Sequence, residues 1–339
     1  MSCHVLTHRD PSRRTVRVMP GSDRSTRPLV IQTEDLDASA AQWLRESCEV
    51  VACSFRDQPR FDELLMRAEG VVVRTYTTVN DRFLDRAPKL RVVGRAGVGL
   101  DRIDVAACRA CGVEVVHTPD ANTQAVAEFV FAMLHDAVRP RLFLQTAITQ
   151  DRWTDLRREL EAPNQVSELT LGILGMGRVG QRVARIAHGF DMDVLYHDLI
   201  DIPKAKRHGA RPAPLDELLK KCDVLTIHVD SRPSNRRLVD RAYFEQLPGH
   251  TIIINTSRGF IVDDLALAAY LRDHPSAKAL LDVHEPEPFQ GNYPLLGLPN
   301  AYLSPHLAAS TATAHQNMSW VVKDVLRVLK GERPNFPAP

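Results

Sequence analysis

The stretch Gly175-Met176-Gly177-Arg178-Val179-Gly180 constrains this chain more than any other. An apolar run, Leu169 to Leu174, precedes it, and an amphipathic run, Val179 to Ile186, follows. A G-x-G-x-x-G pattern alone is a weak signal. Between a strand-like and a helix-like segment it reads as a dinucleotide-binding turn. The first glycine permits the tight turn, the second lets a pyrophosphate approach the backbone, and the third lets helix pack on strand. The helix start then offers free N–H groups and a partial positive charge to the phosphates. Asp193–His197 reads as the next strand and ends at Asp198. That acid lies about twenty residues past the glycines, where a carboxylate accepts from the ribose hydroxyls. A carboxylate there also repels a 2′-phosphate, so NAD is expected over NADP.

The motif lies near the middle of 339 residues, a length that suggests two domains. A 44% hydrophobic, 25% charged composition is that of a globular chain. The formal net charge of +1 gives no field to attract nucleic acid or an anionic membrane. No apolar run approaches the length of a membrane span. The six cysteines are scattered, which fits a reducing, cytoplasmic compartment. Cys108-x-x-Cys111 has no second pair, so no metal site is expected. Residues 1–28, rich in Arg and Ser and poor in apolar residues, read as a disordered tail.

Strand-like runs begin near Leu29, Glu49, Gly70, Arg91 and Val113, with helix-like segments between them. A long helical pattern spans Asn122 to about Gln145. After the glycine turn, strands are expected at Val224–His228, Thr251–Asn255, Ala279–Leu281 and Ala301–Leu303. An amphipathic helix, Thr313 to Leu329, precedes a Pro-rich tail, residues 332–339. Alternating strand and helix predicts α/β architecture with two doubly wound parallel sheets and a cleft between them. Ligands of such sheets lie beyond the carboxyl ends of the strands, so the chemistry belongs in loops that follow strands.

Three such loops stand out. In Gly94-Arg95-Ala96-Gly97-Val98-Gly99, close glycines can free backbone N–H groups to form an anion-binding concavity. In Asn255-Thr256-Ser257-Arg258-Gly259, the guanidinium of Arg258 could fork onto a carboxylate and polarise a neighbouring carbonyl. The third comprises Asp282 to Pro288 together with Ser304-Pro305-His306. Hydride chemistry at an alcohol or ketone needs a proton donor and acceptor, and an imidazole oriented by a carboxylate serves. His306 and Glu287 could form that pair.

In combination these stretches resemble the D-isomer-specific 2-hydroxyacid dehydrogenases, and within them the phosphoglycerate dehydrogenase type without its C-terminal regulatory domain. The matching segments are VVVRTYTTV, LRVVGRAGVGLDRIDVAAC, HTPDANTQAVAEFVFAML, LGILGMGRVG with Asp198, INTSRGFIVDDLALAAYL, LDVHEPEP and SPHLAAST. They extend from about residue 29 to 331. The resemblance implies a Rossmann NAD domain, residues 120–306, inserted into a flavodoxin-like substrate domain made of 29–119 and 307–331. It implies Arg258, Glu287 and His306 as catalytic residues. It implies NAD contacts at Gly175, Gly177, Arg178, Val179, Gly180, Asp198, Thr256, Ser257 and Asp282, the last beside the nicotinamide carboxamide. Substrate contacts would fall at Val98, Gly99, Arg258 and Arg74, Arg74 meeting a distal phosphate. Departures from the family pattern are Asp120, His228-Val229-Asp230 and Ala308. The expected activity is hydride transfer between NAD(H) and C2 of a D-2-hydroxy or 2-keto acid, including acids with a second anionic group such as 3-phosphoglycerate. Alternatives on the same scaffold are a phosphite or phosphonate-acid dehydrogenase, with Arg74, Arg95 and Arg139 supplying charge, and a non-catalytic NADH-sensing corepressor-like protein. The resemblance also implies a homodimer, with the Asn122–Gln145 helix contributing.

Overall fold

The computed structural model describes residues 27–339. The expectation for the N-terminal tail therefore lies, Arg27 and Pro28 aside, outside the described residues.

Five short runs rich in valine form the first sheet: β1 (Leu29–Gln32), β2 (Glu49–Ala52), β3 (Gly70–Val73), β4 (Val92–Arg95) and β5 (Glu114–Val116). All pairings are parallel, in the order β2-β1-β3-β4-β5. β3 is buried along its whole length, as a strand covered on both faces must be. The crossovers are α1 (Ala38–Arg45), α2 (Gln58–Leu65), α3 (Asp81–Leu84) and α4 (Val105–Ala110). Asp37, Asn80 and Asp104 start three of these helices by accepting first-turn N–H bonds that would otherwise go unpaired.

α5 (Thr123–Val138) then crosses to the second sheet, and α6 (Gln150–Glu159) follows on the surface. The helical pattern read as far as Gln145 stops at Val138. Pro140 forces Arg139 out of the helical region, and Arg139 is extended with ψ 78°. The second sheet contains β6 (Thr170–Leu174), β7 (Asp193–His197), β8 (Arg211–Pro212), β9 (Val224–Ile227), β10 (Ile252–Asn255), β11 (Lys278–Leu281) and β12 (Ala301–Leu303). It is parallel throughout, in the order β12-β11-β10-β9-β6-β7-β8. Its helices are α7 (Arg178–Gly189), α8 (Leu215–Lys221), α9 (Arg241–Phe244) and α10 (Asp264–Asp273). The two-residue edge strand β8 was not foreseen, having no periodicity to announce it. α5 and α7 share one core, with Val130 and Leu134 beside Ala184 and Ala187.

The chain ends on the first sheet. The single helix expected over Thr313–Leu329 is two, α11 (Ala312–Ser319) and α12 (Val322–Leu329), bent at Trp320 and Val321. Val325 of α12 packs where a side chain on Gly94 of β4 would be, which is why only glycine fits there. The Pro-rich tail pairs rather than hangs free. His117 donates its N–H to the Phe336 carbonyl (3.1 Å), and Ala338 donates to Val115 (2.7 Å). The buried carboxylate of Asp324 accepts from the N–H groups of Asn335 and Phe336. The edge of β5 is thereby covered.

Each sheet reverses direction once, between β1 and β3 in the first and between β6 and β9 in the second. Crevices open at the carboxyl ends beside these points. All the loops singled out from sequence follow strands at those ends.

Candidate active site

The glycine turn sits at the reversal of the second sheet. Gly175 has φ +94°, and a Cβ there would lie 2.8 Å from the backbone of His228 and Val229. Both facts demand glycine. Gly177 is the N-cap of α7 with no side-chain cap, and a Cβ on it would stand in open space. The first N–H groups of this twelve-residue helix thus face an open crevice. Asp198 lies across the turn. Its Oδ2 accepts from the Met176 N–H (2.6 Å) and its Oδ1 from the Ile200 N–H (3.1 Å). Leu199 and Ile200 beside it are 80% and 68% exposed, an apolar surface next to the ribose-type acid that the sequence reading missed. Farther along the crevice, the Thr256 hydroxyl is buried without a protein partner, while Ser257 Oγ is bonded to Asn255. An open helix start, a placed carboxylate and an orphaned hydroxyl fit a dinucleotide.

Arg258, Glu287 and His306 follow β10, β11 and β12 in turn, so parallel strand order alone brings them together. His306 Nδ1 lies 2.8 Å from Glu287 Oε2. His306 has φ +57°, a conformation a non-glycine residue keeps only when its surroundings hold it. The hydrogen bond that His306 donates to Glu287 holds its imidazole above the ordinary value, against burial and Arg258 and with help from Glu287's charge and Asp282. Glu287 is correspondingly lowered: burial pushes its carboxyl up, but the His306 bond and the His284 N–H outweigh this.

Asp282 is wholly buried. Its carboxylate accepts from Ser304 Oγ (2.8 Å) and from the N–H groups of Leu307 (2.7 Å) and Ala308 (2.8 Å). Its carboxylate anchors the His306 loop. Ala308, a departure from the family pattern, is accommodated in that anchor. Of the other departures, Asp230 pairs with Arg232 and Asn235, and Asp120 is exposed. His228 is half-buried 2.8 Å from Thr226 Oγ1, and desolvation lowers its imidazole to about 3, so it is neutral.

On the facing side, Arg95 folds over Gly97 and donates to the carbonyls of Ala96 (2.6 Å) and Gly99 (2.9 Å). His117 lies 3.1 Å from the Val98 carbonyl through Nδ1. With these carbonyls engaged, the Val98 and Gly99 N–H groups meet no acceptor among the described residues. Asp101 spans the cleft: its Oδ2 accepts from Arg258 Nε (3.0 Å) and Nη2 (2.8 Å). That guanidinium lies against Gly99, where a side chain would collide with it. Asp101 stands in a segment that pointed to the family, but no spacing rule links it to Arg258. Glu34 was also missed. Its carboxylate accepts from the N–H groups of Arg74, Thr75, Tyr76 and Thr77. Arg74 donates from Nη1 to the Asp35 carbonyl (3.1 Å). Arg139 does not join the site. It follows Ala137, whose carbonyl accepts from Lys278 at the amino end of β11, the opposite end of the sheet.

A dinucleotide crevice beside a carboxylate-oriented imidazole and an arginine defines a nicotinamide-dependent oxidoreductase of the two-domain α/β class. The chain belongs to the D-isomer-specific 2-hydroxyacid dehydrogenases, whose NAD-binding-domain model matches residues 131–308. It is 34% identical over 309 residues to glyoxylate reductase of Aeropyrum pernix, covering 88% of this chain and 92% of that protein. It is 32% identical over 305 residues to D-3-phosphoglycerate dehydrogenase of Archaeoglobus fulgidus, covering 89% of this chain but 57% of that longer protein. Among solved structures, the D-lactate dehydrogenase of Aquifex aeolicus, complexed with NAD and lactic acid, superposes with a TM-score of 0.77 at 26% identity. That match covers 90% of this chain and 96% of the other.

Proposed function

We propose that the protein interconverts a short D-2-hydroxy acid and its 2-keto acid, with His306 as the proton donor and acceptor. The observation that carries this reading is the 2.8 Å His306–Glu287 contact beside Arg258. His306 Nδ1–H donates to Glu287, which fixes the ring and leaves Nε2 to exchange a proton with the substrate oxygen. Arg258, held in plane by Asp101, polarises that oxygen and shares the carboxylate with the Val98 and Gly99 N–H groups. When bound, the nicotinamide supplies or accepts the hydride. The α7 N-terminus and Gly177 would take its pyrophosphate, Asp198 its ribose, and Leu199 and Ile200 would flank the adenine. Thr256 would give its unpaired hydroxyl to the nicotinamide half.

Two observations favour a short acid over one bearing a distal phosphate. Glu34 already fills the N–H concavity of residues 74–77, and Arg74 is tied to the Asp35 carbonyl. A second anion would meet the Glu34 carboxylate. The test is a panel of glyoxylate, hydroxypyruvate, pyruvate and 3-phosphohydroxypyruvate, followed by NADH absorbance. Glyoxylate or hydroxypyruvate should give the highest kcat/KM, and preference for the phosphorylated acid would overturn this reading.

No helix among the described residues is long and apolar enough to cross a membrane. Leu142, Phe143, Leu144 and Trp153 expose 44–74% of their surface around α6 and its preceding loop. This patch, just beyond α5, supports a homodimer in which a second copy covers it. The cytoplasmic placement expected from the cysteines is part of the same proposal.

A further inference from the structure

His284, in the segment LDVHEPEP, touches the loops of Arg258, Glu287 and His306 alike. Its N–H donates to Glu287 Oε1 (2.9 Å). Its Nε2 donates to the carbonyl of Ser304 (2.9 Å), two residues before His306. Its backbone abuts Gly259, next to Arg258, so closely that a Cβ on Gly259 would collide with it. The ring is 6% exposed and packs edge-on to Phe289 (4.8 Å) and Tyr293 (5.6 Å). Its Nδ1 faces the Tyr293 hydroxyl (3.3 Å), which in turn donates to Asp264 Oδ1 (3.0 Å). Asp264 and Tyr293 line a cavity of about 190 Å³ on the far side, with Arg237, Asp263 and Glu285 around it.

We propose that His284 is a positioning residue for the acid–base pair, its ring binding the His306 loop to the segment that carries Glu287, and Tyr293 and Asp264 holding the ring's other nitrogen. The inference rests on the assignment of His306 and Glu287 above. Counting hydrogens supports it. A carbonyl only accepts, so Nε2 must carry a hydrogen. Tyr293 gives its hydrogen to Asp264 Oδ1 while its oxygen lies 3.3 Å from Nδ1, so one hydroxyl ties the ring to the start of α10. Burial and the neighbouring Asp263 and Glu285, opposed by Tyr293 and Arg237, push the Asp264 carboxyl up to about 6.

The test is His284→Phe, which keeps the aromatic packing and removes the bond to Ser304. The expected result is a kcat lower by about tenfold with KM for the keto acid nearly unchanged, a shift smaller than the roughly 10²-fold that a 1 Å misplacement of a reacting group costs. By NMR, the His306 ring should titrate at lower pH than in the wild type, since a loosened Glu287 no longer raises it. Asp282 and Arg258, which also face His306, are untouched. His284→Gln, whose amide can still reach Ser304, should recover kcat to within about threefold of the wild type, as a retained supporting bond does elsewhere. Tyr293→Phe keeps the ring stack and should shift the His306 titration the same way, which keeps the test decisive even where His284→Phe fails to fold. Folded Phe variants at both positions with unchanged kcat and unchanged His306 titration would overturn the proposal, as would a Gln variant no better than Phe. A wild-type protein inactive on every keto acid would sink the functional reading alone, because the NMR titration still decides this one.

Discussion

The two ends of the cleft are built in opposite ways. The cofactor end is mostly backbone: a glycine turn, a helix start and one carboxylate, supplied by residues 175–198 in a single strand-turn-helix-strand unit. The acid–base end is mostly side chain: Arg258, Glu287 and His306 come from three loops, and their supports come from farther still, Asp101 from the other sheet. A backbone site fails when the backbone is distorted. A side-chain site fails when one supporting contact is lost.

If that contrast is right, the largest effect belongs to the proton carrier. His306→Ala should lower turnover by about 10³-fold, within the range of general acid–base catalysis, while NADH affinity measured by fluorescence stays near that of the wild type. Comparable loss of NADH binding would break the separation between the two ends. At the cofactor end, Gly175→Ala should cost about 1–3 kcal/mol, for the left-handed φ and the contact with His228. Calorimetric melting and NADH titration should both register it, whereas the pH dependence of any residual turnover should not move.

Glu287→Gln sharpens the comparison through pH. The Glu287 bond raises the His306 imidazole, so the proton needed for reduction is retained to higher pH. In the Gln variant the falling limb of the reduction profile should move to lower pH. The rising limb of the oxidation profile, which needs neutral imidazole, should move the same way. Opposite movement would remove Glu287 from its assigned role. The smallest change is expected from Asp198→Asn, which keeps the shape and removes the charge. NADH should bind about tenfold more weakly, as for loss of a hydrogen bond to a charged group, and discrimination against NADPH should narrow. Isothermal titration with both nucleotides measures it.

These differences in construction set what could be read in advance. The parallel strands other than β8 were legible because each is a short apolar run bounded by turn residues, and Asp198 was legible because a strand and helix of ordinary length fix its distance from the glycines. The ends of α5 and the bend at Trp320 were not, since they depend on a proline restraint and on packing against the first sheet. Asp282 carries a warning. A motif singled it out as a cofactor contact, yet its carboxylate accepts from three donors of the His306 loop, a fact visible only once the loop is folded.

The sequence by itself determined the alternation of strand and helix and the glycine turn, and it singled out Arg258, Glu287 and His306 as candidates. These follow from local backbone preference and from residue chemistry, which act over a few positions. The tertiary structure alone decided the side-by-side placement of β10, β11 and β12, and the pairing of the tail with β5. It also decided the reach of Asp101 to Arg258 across 157 positions and the burial of His284 among three loops. Each requires segments distant along the chain to pack at ångström precision. No local pattern encodes such contacts, because their energy exists only when both partners are in place.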